Sequence, residues 1–202
     1  MNLTHDFYII ESLESKDIND GRIFYEALLS IEGFNPKYVK LHDFKDLKKA
    51  LLDYDKSNYK YLFVSSHGDE ENLKLNNETV NSYDLEDINV NFDQRRIFMS
   101  TCRGGSYLFA KYFIKNGAYS VIGTPEDLPQ IVATGMWPTM LIMFERLNHT
   151  ILNFDELNKT LKVLVGIYQI PLHYYSFVRN RREMKEYIYN SNKLRVRKNY
   201  SL

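Results

Sequence analysis

The 202-residue chain predicts an α/β domain built on a largely parallel sheet. Three observations carry this expectation. Short apolar runs of strand length alternate with segments of helical spacing. Turn-forming residues separate them. A chain of this length, 44% apolar and 14% aromatic, suits one compact core rather than two. Nine glycines and five prolines exclude collagen-like or low-complexity character, and the aromatic content argues against disorder. No internal repeat is visible.

Residues 6–13 (DFYIIESL) read as a first strand. Residues 19–31 follow as a helix, with Ile23, Phe24, Ala27, Leu28 and Ile31 on one face and Gly33 closing it. Residues 38–41 form a short second strand. Residues 43–53 form a helix carrying Phe44, Leu47 and Leu51, capped by Asp43. Residues 59–66 (YKYLFVSS) are a buried third strand, and Leu73, Leu75 and Val80 around Asn76-Asn77 suggest a hairpin. One or two helical turns are expected over 83–88. Residues 95–101 (RRIFMST) are a fourth strand, 106–115 the helix after it, and 118–123 (AYSVIG) a fifth strand. Apolar helices are expected at 138–147 and 154–165, and a last strand-like run at 172–178.

No apolar run approaches the roughly 18 residues of a membrane span. The opening residues, with Asp6 and only four apolar residues in a row, read as a strand and not a signal peptide. The single cysteine, Cys102, can form neither an internal disulfide nor a multi-thiolate zinc site. These features point to a reducing, cytoplasmic setting without a membrane partner. The net charge of zero conceals an asymmetry: from Arg179 onward eight Lys or Arg stand against Glu183 and Glu186, a balance of +6, while eight acids and one Lys occupy 69–93. A basic tail can mark nucleic acid or an acidic partner, but a solvated terminal element touching the chain's own acidic surface is the plainer reading. Tyr187, Ile188 and Tyr189 could make that element an edge strand.

Two places carry chemistry, each just past a buried strand. The third strand ends in Ser65-Ser66-His67-Gly68-Asp69, and the fourth in Ser100-Thr101-Cys102-Arg103-Gly104-Gly105-Ser106. In a doubly wound sheet, side chains beyond the carboxyl ends of neighbouring strands converge on one crevice. A thiol and an imidazole can therefore meet there although 35 positions separate them. Cysteine attacks a carbonyl as thiolate, and a nearby imidazole supports the thiolate and later protonates the leaving amine. The helix opening near Ser106 adds a favourable partial charge. Taken singly, Cys102 is an ordinary small buried side chain and His67 an ordinary hydrogen-bonding one. The pair, each ending its own strand, is what singles out the site.

These two motifs resemble those of the caspase-like cysteine peptidases, the group of caspases, metacaspases, legumain, gingipain, separase and CHAT domains. STCRG at 100–104 is close to the caspase pattern in which Arg-Gly follows the cysteine. NGAYSVIGT (116–124), TMLIMFERL (139–147) and PLHYYSF (171–177) resemble later CHAT segments, so the likeness spans about 59–178. The resemblance implies a three-layer caspase-like sandwich, a peptidase domain over 1–178 and a basic C-terminal extension over 179–202. It also implies Cys102 as nucleophile, His67 as general base and acid, and the N–H groups of Gly68 and Cys102 as the oxyanion hole. Metacaspases and legumain carry an acid two positions before the cysteine; Ser100 stands there instead. The substrate pocket is thus sought among Asp69, Ser100 and Arg103, with Asp69 or another acid supplying any preference for a basic residue.

The leading expectation is a cysteine endopeptidase acting on a protein or peptide, without a cofactor. It would be regulated by a nucleotide signal or a partner protein, in the manner of bacterial effectors of antiphage defence. Two alternatives stand beside it: a catalytically silent module of this fold that binds a signal molecule or protein, and an unrelated flavodoxin-like domain with an incidental His and Cys. His5, His42, His149 and His173 have no evident partner. No metal-ligand cluster is present, and Gly104-Gly105 lacks the spacing and Lys of a phosphate loop. Trp137 and the tyrosines read as core or surface aromatics.

Overall fold

The computed structural model describes residues 4–146, 154–179, 182–190 and 193–202. Among these described residues, ten strands and six helices follow in the order β1 (Thr4–Ser12), α1 (Asp20–Leu29), β2 (Lys37–Lys40), α2 (Phe44–Lys56), β3 (Tyr59–Gly68), β4 (Asn72–Lys74), β5 (Thr79–Asn81), α3 (Ser82–Glu86), β6 (Arg96–Ser100), α4 (Tyr107–Lys115), β7 (Ser120–Gly123), α5 (Gln130–Arg146), α6 (Phe154–Tyr168), β8 (Leu172–Val178), β9 (Glu183–Asn190) and β10 (Lys193–Ser201). The sheet runs β10-β9-β8-β7-β6-β3-β1-β2, with the β4–β5 hairpin attached to the end of β3. Strands β2, β1, β3, β6 and β7 are mutually parallel, and β8, β9 and β10 are added antiparallel.

The alternation of side chains along the parallel strands creates three layers. Tyr8, Ile10, Leu62, Val64, Ile97, Met99 and Val121 face one side, where α2, α3 and α4 pack. Phe7, Ile9, Tyr61, Phe63, Phe98 and Ile122 face the other, against α1, α5 and α6. Local chemistry sets several boundaries. Asp43 caps α2 through its Oδ1, which accepts the Asp46 N–H at 2.8 Å. At the other end of α2, the buried Arg95 guanidinium donates to the carbonyls of Tyr54, Asp55 and Ser57. Those are the acceptors a helix terminus leaves open.

The helix expected at 138–147 begins earlier, at Gln130, and contains Pro138 internally; the expected end at Leu147 lies outside the described residues. A proline is most at home in the first turn of a helix, where its missing N–H costs nothing. Here tertiary packing overrides that preference, because the turns before it bury Ala133, Met136 and Trp137 completely or nearly so. Trp137 meets Phe63 and Phe98 edge-on at 5.5 and 6.2 Å between ring centres. A proline kink is tolerated when that much apolar surface is covered.

The basic segment beyond Val178 forms β9 and β10. Residues 183–189 of β9 pair with all of β8, and Met184 and Tyr189 are fully buried. Among the described residues, contact with the acidic stretch amounts to one exposed pair, Arg179 with Asp93 at 3.9 Å, a geometry worth little in water. Deleting 179–202 is expected to uncover β8 and abolish or severely weaken the cooperative melt. Met184 and Tyr189 alone represent about 3–6 kcal/mol of burial, which at ~2–4 °C per kcal/mol is a fall in Tm of roughly 10 °C or more. A truncated chain that melts cooperatively at the parent's temperature would show these strands to be dispensable.

Candidate active site

The connections from β1 run to β2 on one side and to β3, β6 and β7 on the other, so the strand order reverses between β1 and β3. Open parallel sheets hold their ligands at such a point, beyond the carboxyl ends of the strands. A small cleft, partly open to solvent, lies there. It is lined by Leu13 and Asp20 after β1, Ser66 and His67 of β3, Ser100, Thr101 and Cys102 at the end of β6, and Leu128, Gln130 and Ala133 after β7.

Cys102 and His67 thus share one cleft. They do not hydrogen-bond to each other among the described residues. The Cys102 thiol faces Leu128 instead, whose N–H donates to Sγ at 3.3 Å, with its carbonyl 3.8 Å away. The His67 ring is fixed from the far side: Nε2 lies 3.0 Å from Asp17 Oδ2. With Nε2–H donating to that carboxylate, Nδ1 carries the lone pair and is the nitrogen left for proton transfer. Burial pushes the Asp17 carboxyl up, but the Glu14 N–H at 2.9 Å and His67 outweigh it and hold the group below its ordinary value. Asp17 is therefore a carboxylate whenever His67 needs a counter-charge.

The turn after Cys102 is tightly determined. Arg103 adopts φ 56°, in the left-handed region rare for a side-chain-bearing residue. Its N–H donates to Glu126 O, that of Gly104 to Thr101 O, and that of Gly105 to Thr124 O. The Cys102 N–H has no acceptor among the described residues, as an oxyanion donor requires. Gly105 lies against Gly123 so closely that a Cβ would come within 2.5 Å of the Gly123 carbonyl oxygen. Gly68 is equally confined: a Cβ there would lie 2.5 Å from Asn72 O and 2.6 Å from Thr101 Cγ2. Ser106 caps α4 through its Oγ at 3.4 Å from the Phe109 N–H.

Of the three residues considered for the substrate pocket, Ser100 lines the cleft and Asp69 and Arg103 do not. Asp69 Oδ1 accepts the N–H groups of Glu71 and Asn72, each at 2.9 Å, and starts the β4–β5 hairpin. Arg103 is exposed and bridges two loops, with Asp127 at 3.1 Å and Glu70 at 3.4 Å. The acid in the cleft is Asp20, at the start of α1. It is almost fully buried and accepts from Ser65 Oγ at 2.7 Å and from Ser100 Oγ. Ser100 Oγ in turn accepts from Trp137 Nε1 at 2.8 Å. Burial raises the Asp20 pKa against these donors. Behind it sits Glu11, fully buried, with Tyr38 OH at 3.1 Å and the Arg22 N–H at 3.2 Å on Oε2.

Asp17, Asp20 and Leu128 were not singled out from the sequence. Asp17 and Asp20 follow β1, which neighbours β3, so the edge rule that picked His67 and Cys102 applies to them too once strand order is known. Leu128 acts through its backbone, and side-chain identity carries no sign of that. Of the other histidines, His42 Nδ1 lies 3.3 Å from Asn76 Nδ2, and His173 is buried on β8 beside Glu186. His149 lies outside the described residues, as does the side chain of His5.

Comparisons with known proteins agree with this architecture. No family model matches the chain, and neither does any curated protein. Among solved structures, the chain is similar to the complex of the RgpB pro- and mature domains of Porphyromonas gingivalis, with a TM-score of 0.54. The match covers 98% of this chain and 68% of that one at 10% identity. RgpB is a gingipain. The fold is caspase-like. At 10% identity the likeness speaks for the three-layer α/β architecture and not for individual residues.

The buried carboxylates make a prediction. Burial, with Asp20 adding to it and Lys40 opposing, pushes the Glu11 carboxyl from 4.5 up to about 7. The folded chain therefore keeps a proton that the unfolded chain releases. Stability should fall as pH rises from 4.5 towards 7 and level off above. A folded-state shift is worth ~1.4 kcal/mol per unit. Glu11→Gln, which keeps shape and an acceptor for Tyr38, should flatten that decline in urea or thermal melts. Identical pH slopes for parent and variant would contradict the assignment.

Proposed function

We propose that the chain is a caspase-like cysteine endopeptidase that cuts after a basic residue, using Cys102 and His67. The observation that supports it most is the cleft itself. A thiol with a backbone N–H aimed at it, an imidazole with a carboxylate behind it, and a buried carboxylate on the floor share one switch-point crevice.

The steps follow from the chemistry of these groups. The Cys102 thiol gives its proton to His67 Nδ1 by way of water, the thiolate sulfur forms a bond to the carbonyl carbon, and the C=O π pair moves onto oxygen, held by the N–H groups of Gly68 and Cys102. Imidazolium His67 gives its proton to the departing amine as the C–N bond breaks, leaving a thioester. His67 then takes a proton from water, the resulting hydroxide adds to the thioester, and the thiolate leaves. Because the thiol proton travels by way of water, no direct bond between imidazole and sulfur is required. Asp17 keeps the proton on Nε2 and stabilises the imidazolium, as the acid does in Ser-His-Asp sites.

Asp20 supports the choice of substrate. A buried carboxylate whose donors are two serine hydroxyls and the backbone N–H groups of Asp20 and Gly21, with no cation among them, is a better partner for a guanidinium or ammonium than for any neutral side chain. An extended Arg or Lys entering from the Cys102 end would meet it. Ser100, in the position where related enzymes carry an acid, then orients Asp20 instead of supplying the charge.

Fluorogenic peptides bearing Arg, Lys, Asn or Asp before the reporter test this reading. Arg and Lys peptides should be cleaved. Cys102→Ala and His67→Ala should each lose turnover, and the double variant should be no worse than either alone, since the two act as a unit. Asp20→Asn should cost about 100-fold on Arg peptides, the scale of losing one partner of a buried ion pair. Turnover retained by Cys102→Ala would sink the peptidase assignment. Preference for Asp over Arg in the parent would sink the role given to Asp20.

A further inference from the structure

A second buried polar cluster lies on the opposite side of the nucleophile turn. Tyr175 of β8 reaches under the turn, its hydroxyl 3.2 Å from the Gly105 carbonyl oxygen. The same hydroxyl lies 2.9 Å from Glu186 Oε1 on β9 and 3.3 Å from His173 Nδ1. His173 Nδ1 is itself 3.0 Å from Glu186 Oε1, and Tyr200 of β10 donates to Oε2 at 3.0 Å. Tyr175, His173 and Glu186 are all buried. Burying a carboxylate is costly unless donors surround it. Burial alone would push Glu186 up, but His173, Tyr175 and Tyr200 hold it below the usual carboxylate value.

Donor arithmetic shows what the cluster accomplishes. The one Tyr175 proton faces two acceptors, Glu186 Oε1 at 2.9 Å and the Gly105 carbonyl oxygen at 3.2 Å, and is shared between them. His173 Nδ1 and the Tyr200 hydroxyl approach the same carboxylate, and Tyr175 is the group that reaches on from it to the turn. The Gly105 carbonyl belongs to the turn whose N–H groups are tied to Glu126 and Thr124 and whose backbone is pressed on Gly123. Gly123 is also the register partner of His173. The turn is thus held from the β7 side by backbone contact and from the β8–β9 side by one tyrosine hydroxyl.

We propose that Tyr175, poised by Glu186 and His173, is a positioning residue that holds Gly105 and so sets the Cys102 sulfur against the Leu128 N–H. The proposal rests on Cys102 as the nucleophile of the preceding reading. It assigns the C-terminal strands a part in the competence of the site, because Glu186 and Tyr200 come from β9 and β10.

Cys102 is the only cysteine, so iodoacetamide alkylation of the full chain reports on it alone and needs no knowledge of the substrate. Rates are measured from pH 5 to 10 in the parent, in Tyr175→Phe and in Tyr189→Phe. Tyr189 is a control of the same chemistry: its hydroxyl is buried without a partner among the described residues. Losing one hydrogen bond to the turn should slow alkylation at neutral pH about fivefold in Tyr175→Phe and move its pH midpoint upward, with Tyr189→Phe unchanged. A Tyr175→Phe protein that melts like the parent and matches its rate and midpoint overturns the proposal. Should Tyr175→Phe fail to fold, Glu186→Gln, which keeps an acceptor but loses the charge, is read in the same way, and a parental profile there overturns it. A chain that cleaves no peptide yet shows the alkylation shift refutes the peptidase reading and leaves the positioning role standing.

Discussion

The buried carboxylate of Asp20 is the constraint around which the cleft is organised. A charge in a protein interior is tolerable only where donors replace its water. Its donors, Ser65 and Ser100, sit at the paired ends of β3 and β6, and Ser100 is held in turn by Trp137 of α5. Asp20 therefore ties the start of α1, two central strands and one flanking helix to a single point. Gly21 follows because a side chain there would press on Ser65 Cβ at 3.0 Å and on Glu11 at 3.3 Å. The same interaction that closes the layers over one another leaves an acid facing the cleft.

Close backbone approach is the second constraint. Gly68, Gly105 and Gly123 each stand where a Cβ would collide with main-chain atoms. This brings the ends of β3, β6 and β7 near enough for a thiol and an imidazole to share one crevice. Arg103 accepts a left-handed backbone to turn the chain away after Cys102, and its guanidinium pairs with Asp127 in the loop that delivers Leu128. Local strain of this kind persists when surrounding contacts overdetermine it.

Polar support reaches the cleft and the turn after Cys102 from both flanks of the sheet. On one side the loop after β1 contributes Asp17 and Asp20. On the other the antiparallel strands β8, β9 and β10 contribute Tyr175, Glu186 and Tyr200. Of the basic residues described in the C-terminal segment, Arg179 and Arg182 are exposed, while Met184, Glu186 and Tyr189 of β9 are buried.

The sequence by itself determined the parallel strands, because strand-length runs that are apolar on both faces are local signals: β1, β3, β6 and β7 fall where the pattern predicts them. It also determined that His67 and Cys102 stand at strand ends, since position along a strand is readable without knowing the neighbours. Only the tertiary structure decided which strand ends are adjacent. That adjacency turned Asp17 and Asp20 into members of the cleft and left Asp69 to a hairpin turn. It moved the start of α5 ahead of Pro138, because the burial of Trp137 outweighs a local preference. It also joined Glu186 to Tyr175 across an antiparallel register that no spacing in the chain records. Hydrogen bonds between distant strands depend on which partners the fold brings together, and a backbone donor such as Leu128 leaves no mark in residue identity at all.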